Sequence, residues 1–232
     1  MEVELEIKEI IQRTHNVKSV RLAIEGEPDY KAGQFGRISL KTEKECERYL
    51  SLSSSPTEKG YIEITKKLTQ SDFSKILNSL KPGESLKAQY PFGKFTLEGS
   101  GAKIAFLSGG IGITPIRSMC KYAVDKNLGV DIILLYANHS IKDVVFKEDF
   151  NQMQKQYPKL RVCHVLREPA PGFKYTAGLI NTQVVKNEIP DFMERKIYLC
   201  GPPGMVEGMK KILESELKVP QENIVTENFQ GY

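Results

Sequence analysis

The chain has 232 residues, 40% of them hydrophobic and 27% charged, which suits a soluble protein of two ordinary domains better than one small core. Its net charge of +4 falls short of the dense basic face of a nucleic-acid binder, and no apolar stretch reaches transmembrane length, so neither partner is expected. Cys46, Cys120, Cys163 and Cys200 form no CxxC pair, and only three histidines accompany them. No zinc or iron–sulfur site is therefore expected, and a reduced, cytoplasmic protein fits.

The first seven residues alternate acid and apolar, which suits an edge strand with a solvated charged face. Further alternating runs at 17–22, 36–40 and 61–65, separated by Gly, Pro and Ser, read as short strands. One helical pattern at 71–80 interrupts them and stops at Lys81-Pro82-Gly83. About six antiparallel strands in this length predict a small closed β-barrel. After the Gly99-Ser100-Gly101 linker the rhythm changes. Strand patterns at 103–108, 130–137, 160–166 and 196–200 alternate with helical patterns at 115–126, 146–156, near 180–187 and near 205–217. That alternation predicts a doubly wound parallel sheet. The expected division is residues 1–99 as the barrel and 100–232 as the α/β domain.

The strand at 103–108 runs into Gly109-Gly110-Ile111-Gly112-Ile113-Thr114-Pro115. Glycines let backbone approach a ligand, Thr114 suits an N-cap, and Pro115 suits the first helical position. The following helix start offers free N–H groups and a positive dipole end to a phosphate. A plain tight turn is the alternative; the Thr-Pro continuation favours the phosphate turn. The strand at 196–200 ends in Cys200-Gly201-Pro202-Pro203-Gly204, at the carboxyl edge where open sheets bind ligands. Cys200 reads either as a residue of the cleft rim or as a small buried one. The Met205, Met209, Ile212, Leu213 spacing reads as core, with Gly208 allowing close packing. His15, His139 and His164 read as satisfied or exposed.

These turns, in this order, resemble the GGxGxTP and CGPP motifs of the ferredoxin–NADP reductase superfamily. Arg48-Tyr49-Leu50-Ser51-Leu52-Ser53-Ser54 resembles the family's R-x-Y-S-x-x-S flavin strand, and Gly33-Gln34-Phe35 its G-Q-aromatic segment. Ile64-Thr65-Lys66 and Gln70-Ser71 resemble segments that reach the flavin pyrophosphate. Pro91-Phe92-Gly93-Lys94-Phe95 matches the turn that closes the barrel, and Glu227-Asn228-Phe229 the E-x-F tail.

The resemblance implies an antiparallel flavin-binding β-barrel followed by an NAD(P)-binding α/β domain. It implies an enzyme that passes hydride from NADPH or NADH to FAD rather than FMN, and electrons onward. Arg48 would pair with a flavin phosphate, as a guanidinium fork does well. Lys66 and Ser71 would help at the phosphates, and Tyr49, Leu50, Ile64, Thr65 and Gln70 would line the flavin. Ser51 would hydrogen-bond near flavin N5. Gly109, Gly110, Gly112, Thr114 and Pro115 would hold the nicotinamide cofactor's pyrophosphate. Cys200, with Gly201 and Pro202, would face the nicotinamide, and Glu227 and Phe229 would lie near the redox centre.

Leu50 stands where the family has tyrosine, which removes a stacking ring, and Tyr49 points to the opposite strand face. Gln70 replaces a common glycine. After 130–137 no acid is placed for a ribose diol, whereas Arg167, helped by Lys142 and Lys174, reads either as a contact to the extra phosphate of NADPH or, like any one surface cation, as a solvated charge. A ferredoxin-like or other redox protein is the expected acceptor. Direct reduction of small acceptors, as a diaphorase or flavin reductase, and a partner-dependent electron-transfer subunit are the alternatives.

Overall fold

The structure is a computed structural model, and it describes residues 2–40, 46–97 and 102–228. It divides into two compact units, Met1–Leu97 with Thr114–Asp125, and Glu98–Ile113 with Lys126–Tyr232.

The first unit is a six-stranded antiparallel barrel sheet. Its strands are β1 (Glu2–Thr14), β2 (Val17–Ala23), β3 (Phe35–Leu40), β4 (Cys46–Ser51), β5 (Tyr61–Lys67) and β6 (Ser85–Phe92), in the order β4-β3-β6-β1-β2-β5. A bridge between Leu52 and Ile64 joins the β4 and β5 ends of the sheet. Contrary to the edge-strand expectation, β1 is a long inner strand paired with both β2 and β6. Alternation reveals which face of a strand is wet, and Glu2, Glu4 and Glu6 are indeed exposed, but it does not count neighbours. Helix α1 (Asp72–Ser79) sets Phe73 and Leu77, four residues apart, into the core beside Ile38, Ile62 and Ile64.

A buried polar layer lies on the other face of β5. Glu63 is fully buried, yet its carboxylate accepts from Arg13 at 2.9 Å, Arg21 at 3.0 Å and Ser53 Oγ at 2.9 Å. Such a group is tolerated because three donors, two of them cationic, meet its two oxygens; stripping the carboxylate from its arginines would cost about 3–5 kcal/mol.

The second unit is a parallel sheet of β7 (Lys103–Gly109), β8 (Asp131–Asn138), β9 (Leu160–Leu166), β10 (Thr176–Ala177), β11 (Lys196–Gly201) and β12 (Ile224–Asn228), ordered β10-β9-β8-β7-β11-β12. Strands β7, β8 and β11 are buried almost end to end, as a sheet covered on both faces requires. Helices α3 (Lys147–Gln156), α4 (Thr182–Glu188) and α5 (Pro203–Lys211) follow their strands, and α5 runs on as a π-helical turn to Glu216. The chain leaves β7 toward β8 on one side and has β11 on the other. Open α/β sheets bind ligands at such a reversal, outside the carboxyl ends of the central strands.

The helix α2 (Ile113–Asp125) begins one residue before Thr114, directly after a 3-10 turn over Gly110–Gly112. Thr114 is therefore not the N-cap, and Pro115 sits within the first turn rather than at its first position. The glycine turn itself winds helically, which starts the helix earlier than capping chemistry alone suggests.

Candidate functional site

In the barrel unit, β4, β5 and α1 bring two cations together. Arg48 and Leu50 share one face of β4, because each faces Ile38 or Gly36 across the β3 pairing. The Arg48 guanidinium lies 5.8 Å from the Phe73 ring centre and donates to the Glu47 carbonyl. Lys66 is buried at the end of β5, donating to the Lys67 carbonyl. Burial first, and the Arg48 charge second, hold its ammonium below the ordinary lysine range. Two like charges drawn together out of water are costly until an anion joins them. Ser71 caps α1 by accepting from Ser74 N at 3.3 Å, and Asp72 opens the helix. This donor set fits a pyrophosphate, and it supplies no ring to stack on a flavin.

The remaining residues expected at a flavin divide. Ser51 ends β4 and is buried. Leu50 packs partly against the barrel core, whereas Tyr49 is 60% exposed and meets Phe35 and Phe92 edge-on. Ile64 belongs to the core, and the Thr65 hydroxyl is 2.7 Å from both Ser19 Oγ and Ser53 Oγ. Their side chains are thus engaged inside the barrel, leaving backbone groups for any ligand. Gln70 is exposed.

In the second unit, the two glycine-bearing turns pack on each other. A Cβ on Gly112 would lie 2.4 Å from the Cys200 carbonyl oxygen, and one on Gly109 would lie 2.2 Å from Met205 Sδ. Gly110 takes a φ of +53°, a conformation natural to glycine, with open space around its Cβ position. Tyr136, fully buried on β8, donates its hydroxyl to the Gly110 carbonyl at 3.1 Å and accepts from Val145 N at 3.3 Å. Sequence reasoning passed over Tyr136, since nothing marks one tyrosine of an apolar strand as holding a turn.

Beside these turns lies a cavity of about 350 Å³, lined by Ala137, Arg167, Ile180, Gly204 and Met205 among others. Met209 is core, as its spacing implied, while Met205 also lines the cavity. Gly208 lines it too, and its Cβ position meets nothing within 4 Å, so close packing is not its role. Arg167 is exposed, and its backbone N–H donates to the His139 carbonyl at 3.1 Å. Pro202 caps α5, with Pro203 in its first turn.

Cys200 is fully buried rather than on an open rim, and burial, then the nearby Glu227, push its thiol well above the ordinary value. Glu227 pairs with Cys200 in the β11–β12 register, and burial raises its carboxyl. Phe229 lies outside the described residues. His139 is exposed against Glu168 at 3.0 Å. His164, by contrast, is buried with no partner for Nδ1 among the described residues, and burial, then Lys147, push it down to about 4. Among the described residues no cluster of His, Cys, Asp and Glu could hold a metal, and no helix is long and apolar enough to cross a membrane.

Comparison with known proteins agrees with this division of chemistry. Residues 3–97 match the Oxidoreductase FAD-binding domain family, and residues 106–211 match the Oxidoreductase NAD-binding domain family. NADH-cytochrome b5 reductase 1 of Aspergillus terreus is 32% identical over 224 residues, 90% of this chain and 76% of that protein. The glycine betaine monooxygenase reductase subunit of Pseudomonas aeruginosa is 31% identical over 194 residues, 80% of this chain and 52% of that protein. The cytochrome b5 reductase domain of Ulva prolifera nitrate reductase superposes with a TM-score of 0.87 at 21% identity, covering 98% of this chain and 97% of that one.

Proposed function

Because the chain belongs to the ferredoxin–NADP reductase superfamily, a family of FAD- and nicotinamide-dependent oxidoreductases, we propose that it takes hydride from NADPH onto FAD and passes the electrons to a separate redox protein. We assign the flavin to residues 1–99 and the nucleotide to residues 100–232. The observation that carries this reading is one chain holding both the Arg48–Lys66 cation pair at α1 and the glycine-packed pair of turns at the sheet edge.

FAD, when bound, accepts hydride and can release electrons singly or in pairs; the protein supplies position and electrostatics. Arg48 and Lys66 hold the flavin pyrophosphate, and the N-terminus of α1 adds its dipole. The Ser51 hydroxyl, buried at the end of β4, would donate near flavin N5. Gly109, Gly110 and Gly112 bring backbone N–H groups to the nucleotide pyrophosphate. Arg167, on the wall of the cavity, meets the extra phosphate of NADPH. Cys200 backs the nicotinamide with a neutral thiol, and Glu227 beside it stays protonated to a higher pH than an exposed glutamate.

For the acceptor, the names of the relatives point to a redox protein: a cytochrome b5 in one case, a monooxygenase component in the other. A haem or ferredoxin-like iron–sulfur carrier is the partner we assign. Leu50 favours a second reading, a diaphorase that holds its flavin loosely and reduces small acceptors directly.

Anaerobic titration of the FAD-loaded protein with NADPH, and separately with NADH, tests the first half. Rapid bleaching of the flavin band is expected; no bleaching with either nucleotide overturns it. Adding cytochrome b5, a [2Fe–2S] ferredoxin or free flavin to the reduced protein then tests the acceptor. Reoxidation faster by a protein carrier than by free flavin supports the reductase reading, and the reverse supports the diaphorase.

A further inference from the structure

The segment that follows Ser51 is held through both sides of its backbone. On the donor side the barrel does the work: Leu52 N donates to the Gln34 carbonyl at 3.0 Å and Ser53 N to the Glu63 carbonyl at 2.7 Å. On the acceptor side the partners come chiefly from α2. Arg117 Nη1 donates to the Ser53 carbonyl at 3.2 Å, and Ser118 Oγ donates to the Ser54 carbonyl at 2.5 Å. Tyr30 OH donates to the same Ser54 carbonyl at 2.8 Å.

Arg117 also forks onto Glu58, with Nη2 at 3.0 Å from Oε1 and Nη1 against Oε2. Glu58 in turn accepts from Ser55 N at 2.7 Å and from the Tyr61 hydroxyl at 2.9 Å. One buried guanidinium therefore grips the 53–58 segment at a carbonyl near its start and at a carboxylate near its end. The ion pair is well satisfied. Although burial opposes it, Arg117 holds the Glu58 carboxyl below its ordinary range.

We propose that Arg117 is a positioning residue for the hydride step: its grip on the Ser53 carbonyl and on Glu58 sets where the Ser51 hydroxyl stands. The proposal rests on the reading that Ser51 meets flavin N5. The Ser53 carbonyl belongs to the peptide group after the one whose N–H is pinned, so it can still turn about the Ser53 ψ angle, and Arg117 removes that freedom two residues from Ser51. Displacement of the order of an ångström at a reacting contact can cost about a hundredfold in rate. The planar fork reaches the Ser53 carbonyl and both Glu58 carboxylate oxygens at once, so lysine would restore the charge without that geometry.

The test uses FAD-loaded protein and compares wild type, Arg117→Met, Arg117→Lys, Ser51→Ala and the Arg117→Met/Ser51→Ala double variant. Three quantities are read: the absorbance band of bound oxidised FAD, the FAD dissociation constant, and the rate of anaerobic flavin reduction at saturating NADPH. Arg117→Met should slow reduction at least tenfold, change the FAD dissociation constant less than threefold, and shift the band in the direction that Ser51→Ala does. Arg117→Lys should recover only part of the rate.

The double variant should be no slower than Ser51→Ala alone, because the arginine acts through the serine. A wild-type rate in Arg117→Met, or a double variant that multiplies the two single losses, overturns the proposal. A wild-type rate in Ser51→Ala overturns the Ser51 reading and the proposal with it. If Arg117→Met does not fold, Glu58→Gln, which loosens the fork, carries the same expectation at about threefold; an unchanged rate and band there overturn it.

Discussion

Gly112 lies so close to Cys200 that a single added Cβ would come within 2.4 Å of the Cys200 carbonyl oxygen and 2.6 Å of its carbonyl carbon. The neighbour is backbone, which cannot swing aside as a long side chain would. Gly112→Ala should therefore force the two turns apart, at about 1–3 kcal/mol of overpacking strain. A urea midpoint lowered accordingly, with NADPH binding weakened in the same variant, is the expected result from denaturation and equilibrium titration.

Lys66 gives a pH dependence with a definite sign. In the free protein its ammonium loses its proton below the ordinary 10.5, because of burial and the Arg48 charge. A bound pyrophosphate favours the charged form, so binding takes up a proton once the free lysine has begun to deprotonate. FAD affinity should fall as pH rises from that lowered value toward 10.5. Lys66→Met should weaken binding at neutral pH and flatten this part of the curve, as read by fluorescence titration.

Leu50→Tyr should tighten the hold on flavin. A stacked ring adds about 0.5–1.5 kcal/mol beyond area burial, roughly two- to tenfold in the dissociation constant. The bound FAD should also fluoresce less than in wild type, since a stacked phenol quenches it. Unchanged affinity and emission would mean that position 50 does not face the ring.

Arg167→Ala separates the two nucleotides. If its guanidinium meets the extra phosphate, the variant loses a charge-assisted contact worth about 1.5–3 kcal/mol with NADPH and little with NADH. Steady-state kinetics should show KM for NADPH rising about tenfold or more while KM for NADH moves less than twofold. Equal rises with both nucleotides would assign Arg167 to the shape of the cavity instead.

The sequence by itself determined the two rhythms, the glycine and proline turns, and most of the elements it marked to within a few residues, because these are local matters of periodicity and backbone freedom; β6, β10, β12 and the far half of β1 carried no such mark. Motif order singled out Arg48, Ser51, Lys66 and Gly112 as candidate site residues. Only the tertiary structure decided that β1 is an inner strand and that Cys200 is sealed from solvent. It also set the Tyr136 hydroxyl under the Gly110 carbonyl and the Arg117 guanidinium against Ser53 and Glu58. The two contacts join residues 26 to 64 positions apart, and the places of β1 and Cys200 depend on which elements pack beside them. Local pattern carries no record of either, because the partner is chosen by how strands order and helices pack after the chain has collapsed.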